Sequence, residues 1–279
     1  MSTASEITRK AKSNLAFALQ ILPRERREEM VVFYAFCRTV DDLADDPAIP
    51  SESRAQSLDA WQQGISHGFT APDEFQQEVI TLRDRLEIPN ELLLAIIDGC
   101  RMDLAPQRFA TWADLSNYIW KVACAVGLVS IRILGCHDPA SEAYAVALGH
   151  GLQLTNILRD LREDMANGGR IYLPLEDLAR FQYSEQELAA GVWDERFTAL
   201  MDFQATRAEA YFQEAAATLP SGDLQELLPA RIMGEIYQSL LGDMQRDRFR
   251  VFGKRYRVSK VRKLAILSKH LIAQSRRCE

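Results

Sequence analysis

The stretch LGHGLQLTNILRDLRED, residues 148–164, sets polar and acidic side chains into a segment that is otherwise apolar. Gln153, Asn156, Asp160 and Asp164 follow one another at steps of three, four and four. Those steps place the four side chains on one face of a helix. Like charges one helical turn apart repel each other by about 0.2–0.5 kcal/mol per pair, so the pattern indicates a bound counter-ion. A divalent cation is the counter-ion we expect.

The same arrangement occurs in VVFYAFCRTVDDLADD, residues 31–46. Here Tyr34, Arg38, Asp41 and Asp45 are spaced by four, three and four. Acids near the C-terminal end of a helix oppose the helix macrodipole, which favours a functional reason for them. Two acidic faces turned towards each other across a bundle would hold metal ions and phosphates between them. The predicted metal ligands are Asp41, Asp42, Asp45, Asp160, Glu163 and Asp164.

Each acidic segment also has a simpler interpretation. RDLRED at residues 159–164 alternates charges as a solvated helix face does, and the first cluster could be helix-terminal charge. Two observations favour the metal site. Gln153 and Asn156 extend the polar face back into apolar sequence, and the first segment supplies a matching face.

Composition limits the function classes. The chain has 279 residues, of which 47% are hydrophobic and 26% charged, the balance of a folded globular protein. Its net charge of −6 argues against general nucleic-acid binding. Residues 246–277, however, contain twelve Lys or Arg and one acid, Asp247. That segment is either a solvated helix with a tail, or a surface attracted to anionic lipid headgroups or to a phosphorylated substrate.

Cysteine and histidine usage indicates the compartment and the metal chemistry. The five cysteines include no CxxC pair, which fits a reducing cytosol. The four histidines lack the spacing of zinc ligands, so we expect any metal to be bound by oxygen. No uninterrupted apolar run reaches eighteen residues. The sequence therefore predicts a cytoplasmic protein, with peripheral contact at the inner face of the cell membrane as an open alternative.

The predicted fold class is all-α, in one domain spanning residues 1–279. About ten helices are expected, with the ten prolines lying between periodic segments and not within them. Two long apolar segments, 111–133 and 141–164, are expected at the centre of a bundle. Asn167, Gly168 and Gly169 should end the second one.

Aromatic side chains are expected around the space between the acidic faces. Their π faces, beside a metal and diphosphate cluster in a dry cavity, would suit a carbocation. No GxGxxG, P-loop, GxSxG or HExxH motif occurs in the sequence, which removes the usual nucleotide, acyl-transfer and zinc-protease interpretations. The aromatic residues in question are Phe33, Tyr34, Phe36, Tyr118, Trp120, Tyr172 and Tyr237.

YAFCRTVDDLADD and LQLTNILRDLREDMANGGRIYLP, residues 34–46 and 152–174, resemble the two signature segments of the squalene/phytoene synthase family, the head-to-head prenyltransferases. The resemblance extends over almost the whole chain. It is greatest to the presqualene diphosphate synthase branch of hopanoid biosynthesis, followed by the phytoene and dehydrosqualene synthases. It implies a single-domain helical bundle of the isoprenoid (class I terpenoid) synthase fold with a central cavity.

The resemblance also implies roles for individual residues. Asp41, Asp45, Asp160 and Asp164 would bind Mg²⁺, with Mn²⁺ as a substitute. The residues implied to act near the reacting groups are Tyr34, Arg38, Tyr118, Tyr172 and Tyr237. The residues implied to bind diphosphate are Arg38, Gln153, Asn156, Arg159 and either Lys254 or Arg255.

The chain departs from the family pattern near its N-terminus, where a Ser-Phe pair that touches diphosphate is common. Asn14 and Leu15 occupy those positions here, and Ser13 is the nearby hydroxyl. In the second signature Arg162 stands where a small residue is frequent, and one residue is inserted before Arg170.

The predicted function is the head-to-head condensation of two farnesyl diphosphates to presqualene diphosphate, with downstream isoprenoid enzymes as partners. NADPH would be used only if the reaction proceeded to squalene. Phytoene or dehydrosqualene synthesis is the first alternative, with geranylgeranyl diphosphate as the phytoene substrate. A terpene cyclase, a head-to-tail prenyltransferase and a non-catalytic helical binding protein stay open as further alternatives.

Overall fold

The computed structural model describes residues 21–46 and 48–275. Within those ranges the regular structure is helical, apart from one isolated parallel bridge between Arg108 and Ile171. The prediction of an all-α fold is therefore confirmed. The helices are α1 (Arg24–Asp45), α2 (Ser51–His67), α3 (Glu74–Arg85), α4 (Asn90–Met102), α5 (Trp112–Ile119), α6 (Ala125–Leu134), α7 (Ala140–Ala166), α8 (Leu175–Arg180), α9 (Glu185–Ala189), α10 (Glu195–Thr218), α11 (Leu228–Arg246) and α12 (Lys260–Ser275).

Prolines mark where helices begin. A proline immediately precedes each of α1, α2, α4, α7 and α8. Proline suits these positions because its fixed φ fits the helix entrance and its missing N–H would have no helical partner there. Other helices begin with a side-chain cap. Thr111 forms a capping box at the start of α5, and Ser184 forms one at the start of α9.

Helices α5 and α6 form one continuous helical run, joined by a π-helical turn at Trp120–Cys124. Helix α4 crosses this turn closely at Gly99, where an added Cβ would lie 2.6 Å from the Val122 side chain. The run Trp112–Leu134, with a mean hydropathy of 1.4, could by length and composition alone cross a membrane. A buried core helix passes the same test, and Leu115, Ile119 and Val129 are fully buried.

Helix α7 is the longest described helix, with 27 residues, and packs along α10. It ends where the sequence predicted, because Gly168 and Gly169 both adopt positive φ, at 74° and 71°. Two hydrophobic cores flank the space beside it. One joins α5, α7, α8, α10 and α11, and the other joins α1, α2, α3 and α4, with α6 contributing residues to both. The two acidic segments lie on helices that belong to different cores.

Candidate active site

The first acidic face lies on α1. Arg38 Nη1 donates to Asp41 Oδ2 at 2.9 Å, and Arg38 Nε donates to Asp42 Oδ2 at 3.1 Å. Tyr34 lies one turn earlier, close enough to interact electrostatically with Arg38. Asp41 keeps 48% of its side-chain surface accessible, yet protein surrounds the recess in which it lies. Desolvation there, with repulsion from Asp45, raises the pKa of Asp41 to about 6.

Asp45 pairs with a residue far away in sequence. Arg170 Nη2 donates to Asp45 Oδ1 at 2.7 Å and to the backbone carbonyl of Asp103 at 2.8 Å. The backbone N–H of Arg170 donates to the carbonyl of Asp164, the last acid of the second face, at 3.1 Å. Arg170 therefore connects both acidic faces. Sequence reasoning noted only an insertion before this residue; the signal that could have found it was a basic side chain directly after the Gly-Gly break.

The second acidic face lies on α7 and is more enclosed. Arg159 Nε donates to Asp160 Oδ1 at 2.8 Å, and the two side chains keep only 16% and 18% of their surface accessible. Tyr237 of α11 lies close enough to Arg159 to raise the pKa of its guanidinium, after the larger effects of burial and of Asp160. Arg255 approaches from the segment before α12, with Nη2 3.5 Å from Asp160 Oδ1 and Nε 3.9 Å from Glu163 Oε1.

Lys254 points elsewhere. Its Nζ lies 2.5 Å from Asp247 Oδ2 and 4.6 Å from the centre of the Tyr256 ring. The sequence left Lys254 and Arg255 as alternative diphosphate contacts. The structure places Arg255, and not Lys254, against the second acidic face.

Asp164 ends the second face on α7. Desolvation, with repulsion from Asp160, raises its pKa to about 7, and Asp103 and Glu163 raise it further while Arg170 opposes them. About two and three turns earlier on α7, Asn156 Nδ2 donates to Gln153 Oε1 at 3.4 Å. The side-chain amide oxygen of Asn156, Oδ1, is buried and has no hydrogen-bond partner within the described part of the chain.

Asp103, directly after α4, was missed by sequence reasoning. It accepts hydrogen bonds from Tyr118 and Tyr172, both at 2.7 Å. The two tyrosine rings stack with centroids 5.3 Å apart, and Phe109 packs beside both. Desolvation raises the pKa of Asp103. It also raises the pKa of Tyr118 well above its ordinary value. No sequence pattern marks Asp103, since it is a single acid at a helix end.

Asp103 also shows that the two faces share one space. It interacts electrostatically with Asp41 of the first face and with Asp164 of the second. The structure thus gathers around one recess, from two cores, most of the residues that the sequence proposed. Three of the proposed aromatic residues lie elsewhere: Phe33 and Phe36 are buried in the core of α1–α4, and Trp120 is exposed.

The donor set suits a hard cation bound together with an anionic ligand. Among the described residues, no three Asp, Glu, His or Cys side chains converge closely enough to hold a metal by themselves. Mg²⁺ typically keeps several waters and takes one or two carboxylates plus substrate phosphates. The unpartnered oxygen of Asn156 and the raised pKa values of Asp41 and Asp164 mark a site with acceptor capacity and excess negative charge.

An apolar cavity of ≈ 200 Å³ lies beside this recess. On α7 its walls include Leu148 and Leu152, just before Gln153; on α1 they include Met30, one turn before Tyr34. Both helices therefore run from the cavity towards their acidic faces. The α6 and α11 walls are formed by Val126, Gly127, Ser130, Ile131, Leu134, Pro229, Ala230 and Met233. This arrangement fits an amphiphilic ligand with an apolar tail and a charged head.

The chain is similar over most of its length to known proteins. The squalene/phytoene synthase family pattern matches residues 8–262. A 15-cis-phytoene synthase of Synechococcus elongatus is 34% identical over 278 residues, 94% of this chain and 89% of that protein. A presqualene diphosphate synthase of Zymomonas mobilis is 35% identical over 237 residues, 83% of this chain and 80% of that protein. A solved dehydrosqualene synthase in complex with ligand superposes with a TM-score of 0.85 at 26% identity, over 98% of this chain and 95% of its own.

Proposed function

This chain belongs to the squalene/phytoene synthase family and is a prenyltransferase of that type, and from this premise we propose that it condenses two geranylgeranyl diphosphates head to head to phytoene. The bundle has the isoprenoid synthase fold predicted from the sequence. The observation that carries the choice of substrate is the phytoene synthase match, which spans 94% of this chain. The sequence had favoured farnesyl diphosphate and presqualene diphosphate; the comparisons support the phytoene alternative better.

Members of this family generally use Mg²⁺-dependent diphosphate chemistry. In this chain Asp41, Asp45, Asp160 and Asp164 would hold the ion, which supplies charge neutralisation to the departing diphosphate. The arginines act on the same group. Arg38, Arg159 and Arg255 each already pair with a carboxylate of one face. They would bind diphosphate oxygens when the substrate enters.

The reaction begins when the C1–O bond of the donor breaks and its electron pair leaves with diphosphate. The 2,3 double bond of the second substrate attacks the C1 cation, and loss of a proton closes a cyclopropane that still carries the second diphosphate. We propose that the C–O bond to this diphosphate then breaks, that the resulting cation rearranges to join the two C1 atoms, and that loss of a second proton gives phytoene without a reductant. The apolar cavity excludes water that would convert the cation to an alcohol. Electrostatic stabilisation of the leaving group is the largest contribution that we assign to the protein.

Tyr118 and Tyr172 are hydrogen-bond donors in this scheme and not bases. Burial raises both pKa values above the ordinary tyrosine value, so both hydroxyls stay protonated at neutral pH. Asp103 accepts a hydrogen bond from each hydroxyl and thereby fixes the two rings side by side. We therefore assign the proton lost on ring closure to the released diphosphate.

The second candidate is presqualene diphosphate synthesis from farnesyl diphosphate, favoured by the 35% identity to the Zymomonas mobilis protein. Incubation with each diphosphate, with and without NADPH, followed by mass spectrometry of the products, separates the two. We expect a C40 hydrocarbon from geranylgeranyl diphosphate, unchanged by NADPH and lost on chelation of Mg²⁺. A C30 product formed faster from farnesyl diphosphate would contradict the C20 assignment but not the head-to-head reaction.

A further inference from the structure

The outward face of α12 is apolar. Val261 and Leu264 keep 78% and 53% of their surface accessible, and Leu271 and Ile272 are also exposed. At 100° per residue these four side chains lie within an arc of about 100°. Ile266, on the other side of the helix, is buried in the core that includes α11. The stripe is thus a second apolar face, and its four side chains stay exposed in the part of the chain that the structure describes.

Basic residues surround this stripe. Helix α12 contains Lys260, Arg262, Lys263 and Lys269 and no acid. Residues 246–275 together contain ten Lys or Arg and one acid. Arg262 and Lys269 pair with Asp243 and Glu235 of α11 at 2.5 and 2.8 Å, yet both basic side chains stay exposed. A face that combines an apolar stripe with basic borders is typical of helices that lie in the interface of anionic membranes.

The stripe also adjoins a surface groove that lies next to the apolar cavity. A surface groove of ≈ 500 Å³ is lined by Leu271 of α12 together with Leu134, Pro229 and Arg26. Leu134 and Pro229 line the apolar cavity as well. The groove and the cavity are therefore neighbours, and the exposed stripe continues from the groove along α12.

We propose that α12 docks this protein on an anionic lipid bilayer. Its apolar stripe lies at the boundary of headgroups and acyl chains, and its basic residues bind lipid phosphates. Docking places the groove beside the bilayer, so an apolar product leaves the cavity into lipid. This last step rests on the proposed function; the docking itself does not. A second copy of the chain is the poorer occupant, since pairing two α12 faces brings basic residues together with no acid of α12 to compensate them.

Co-sedimentation with vesicles tests the proposal on the full-length protein. We expect binding to phosphatidylcholine vesicles containing about a third phosphatidylglycerol, and much weaker binding to phosphatidylcholine alone. The double variant Val261→Ser/Leu264→Ser should bind the anionic vesicles at least about tenfold more weakly than the wild type, because two exposed apolar side chains no longer enter the bilayer. The control Ile49→Ser replaces an exposed apolar residue of the loop between α1 and α2 and should bind as the wild type does.

Turnover separates docking from catalysis. In detergent the double variant should keep wild-type activity, since neither residue touches the recess. With anionic vesicles the wild type should exceed the variant. A wild type that is inactive in detergent but still binds vesicles would count against the proposed function and not against the docking proposal. Equal vesicle binding by the variant and the wild type would overturn the docking proposal. So would a concentration-dependent dimer, abolished by the double variant, in a protein that does not bind vesicles.

Discussion

The two acidic faces use similar residues in different surroundings. On α1, Arg38 pairs with Asp41 and Asp42 of its own helix, and these side chains are half exposed. On α7, Arg159 and Asp160 are largely enclosed and receive support from α11 and from the segment before α12. The first face is thus adjustable and the second is fixed by its neighbours. Two prenyl diphosphates with different parts, donor and acceptor, would suit two unequal faces.

Removing a carboxylate from each face should expose this inequality most strongly. Asp160→Asn should lower kcat/KM by at least about 10²-fold, because the enclosed face loses charge that no water can replace. Asp42→Asn should lower kcat/KM by less than about tenfold, since Asp42 is exposed and its ion pair is with the likewise exposed Arg38. Steady-state kinetics in detergent measures both. Asp243→Asn, which alters a helical carboxylate paired with two arginines outside the recess, is the control. Equal losses at Asp42 and Asp160 would remove the distinction.

The connection between the faces is the next target. Arg170→Gln should lower kcat/KM by about 10²-fold and the free energy of unfolding by about 2 kcal/mol, because it leaves Asp45 and the Asp103 carbonyl without a buried partner. Arg207→Gln breaks a comparably buried pair with Asp177 outside the recess and should affect only stability. Chemical denaturation and kinetics on both variants separate the two effects. If the two variants lost the same activity, Arg170 would have a structural role alone.

Asp103 tests whether the tyrosines between the faces need a common acceptor. Asp103→Asn should lower kcat by about tenfold, because the amide group can accept from one hydroxyl while its N–H₂ opposes the other. KM should change less than kcat, since the residue acts through Tyr118 and Tyr172. Tyr183→Phe removes a hydrogen bond from another buried tyrosine, to the Val192 carbonyl, and serves as the control. A change confined to KM would argue that Asp103 contributes to substrate binding instead.

Asp164 makes the stability of the metal-free protein depend on pH. The folded pKa of Asp164 is about 7, against 3.8 for the ordinary group, so between these values the folded state binds more protons than the unfolded state. The contribution of Asp164 to the free energy of unfolding is fully present below pH 3.8 and is lost as the pH rises through about 7. Asp164→Asn should therefore raise the free energy of unfolding of the metal-free protein by about 1–3 kcal/mol at pH 8. At pH 4 the variant should change it little. Thermal unfolding at the two pH values measures this. A destabilised variant at pH 8 would show that Asp164 is held by favourable contacts.

Much of this site could be predicted from the sequence because helical periodicity is local. Steps of three and four place Asp41 with Asp45 and Asp160 with Asp164 wherever the helices pack, and the Gly168–Gly169 break follows from backbone sterics. Asp103 and Arg170 could not be found in this way. Each acts through partners 15 to 125 residues away, so their roles exist only after the two cores have packed. The flap position at Asn14 and Leu15 lies outside the described residues.

Helix α6 has a consequence for how the protein unfolds. Ile131 packs in one core while Val129, Ile133 and Leu134 pack in the other. Because this one short helix contributes side chains to both cores, unfolding of either core removes packing contacts of α6 that the other core also needs. We therefore expect a single calorimetric transition, with equal van't Hoff and calorimetric enthalpies. Under that coupling, a cavity made by Phe36→Ala in the core of α1–α4 lowers the melting temperature of the whole protein, and the recess between the cores persists or disappears with both.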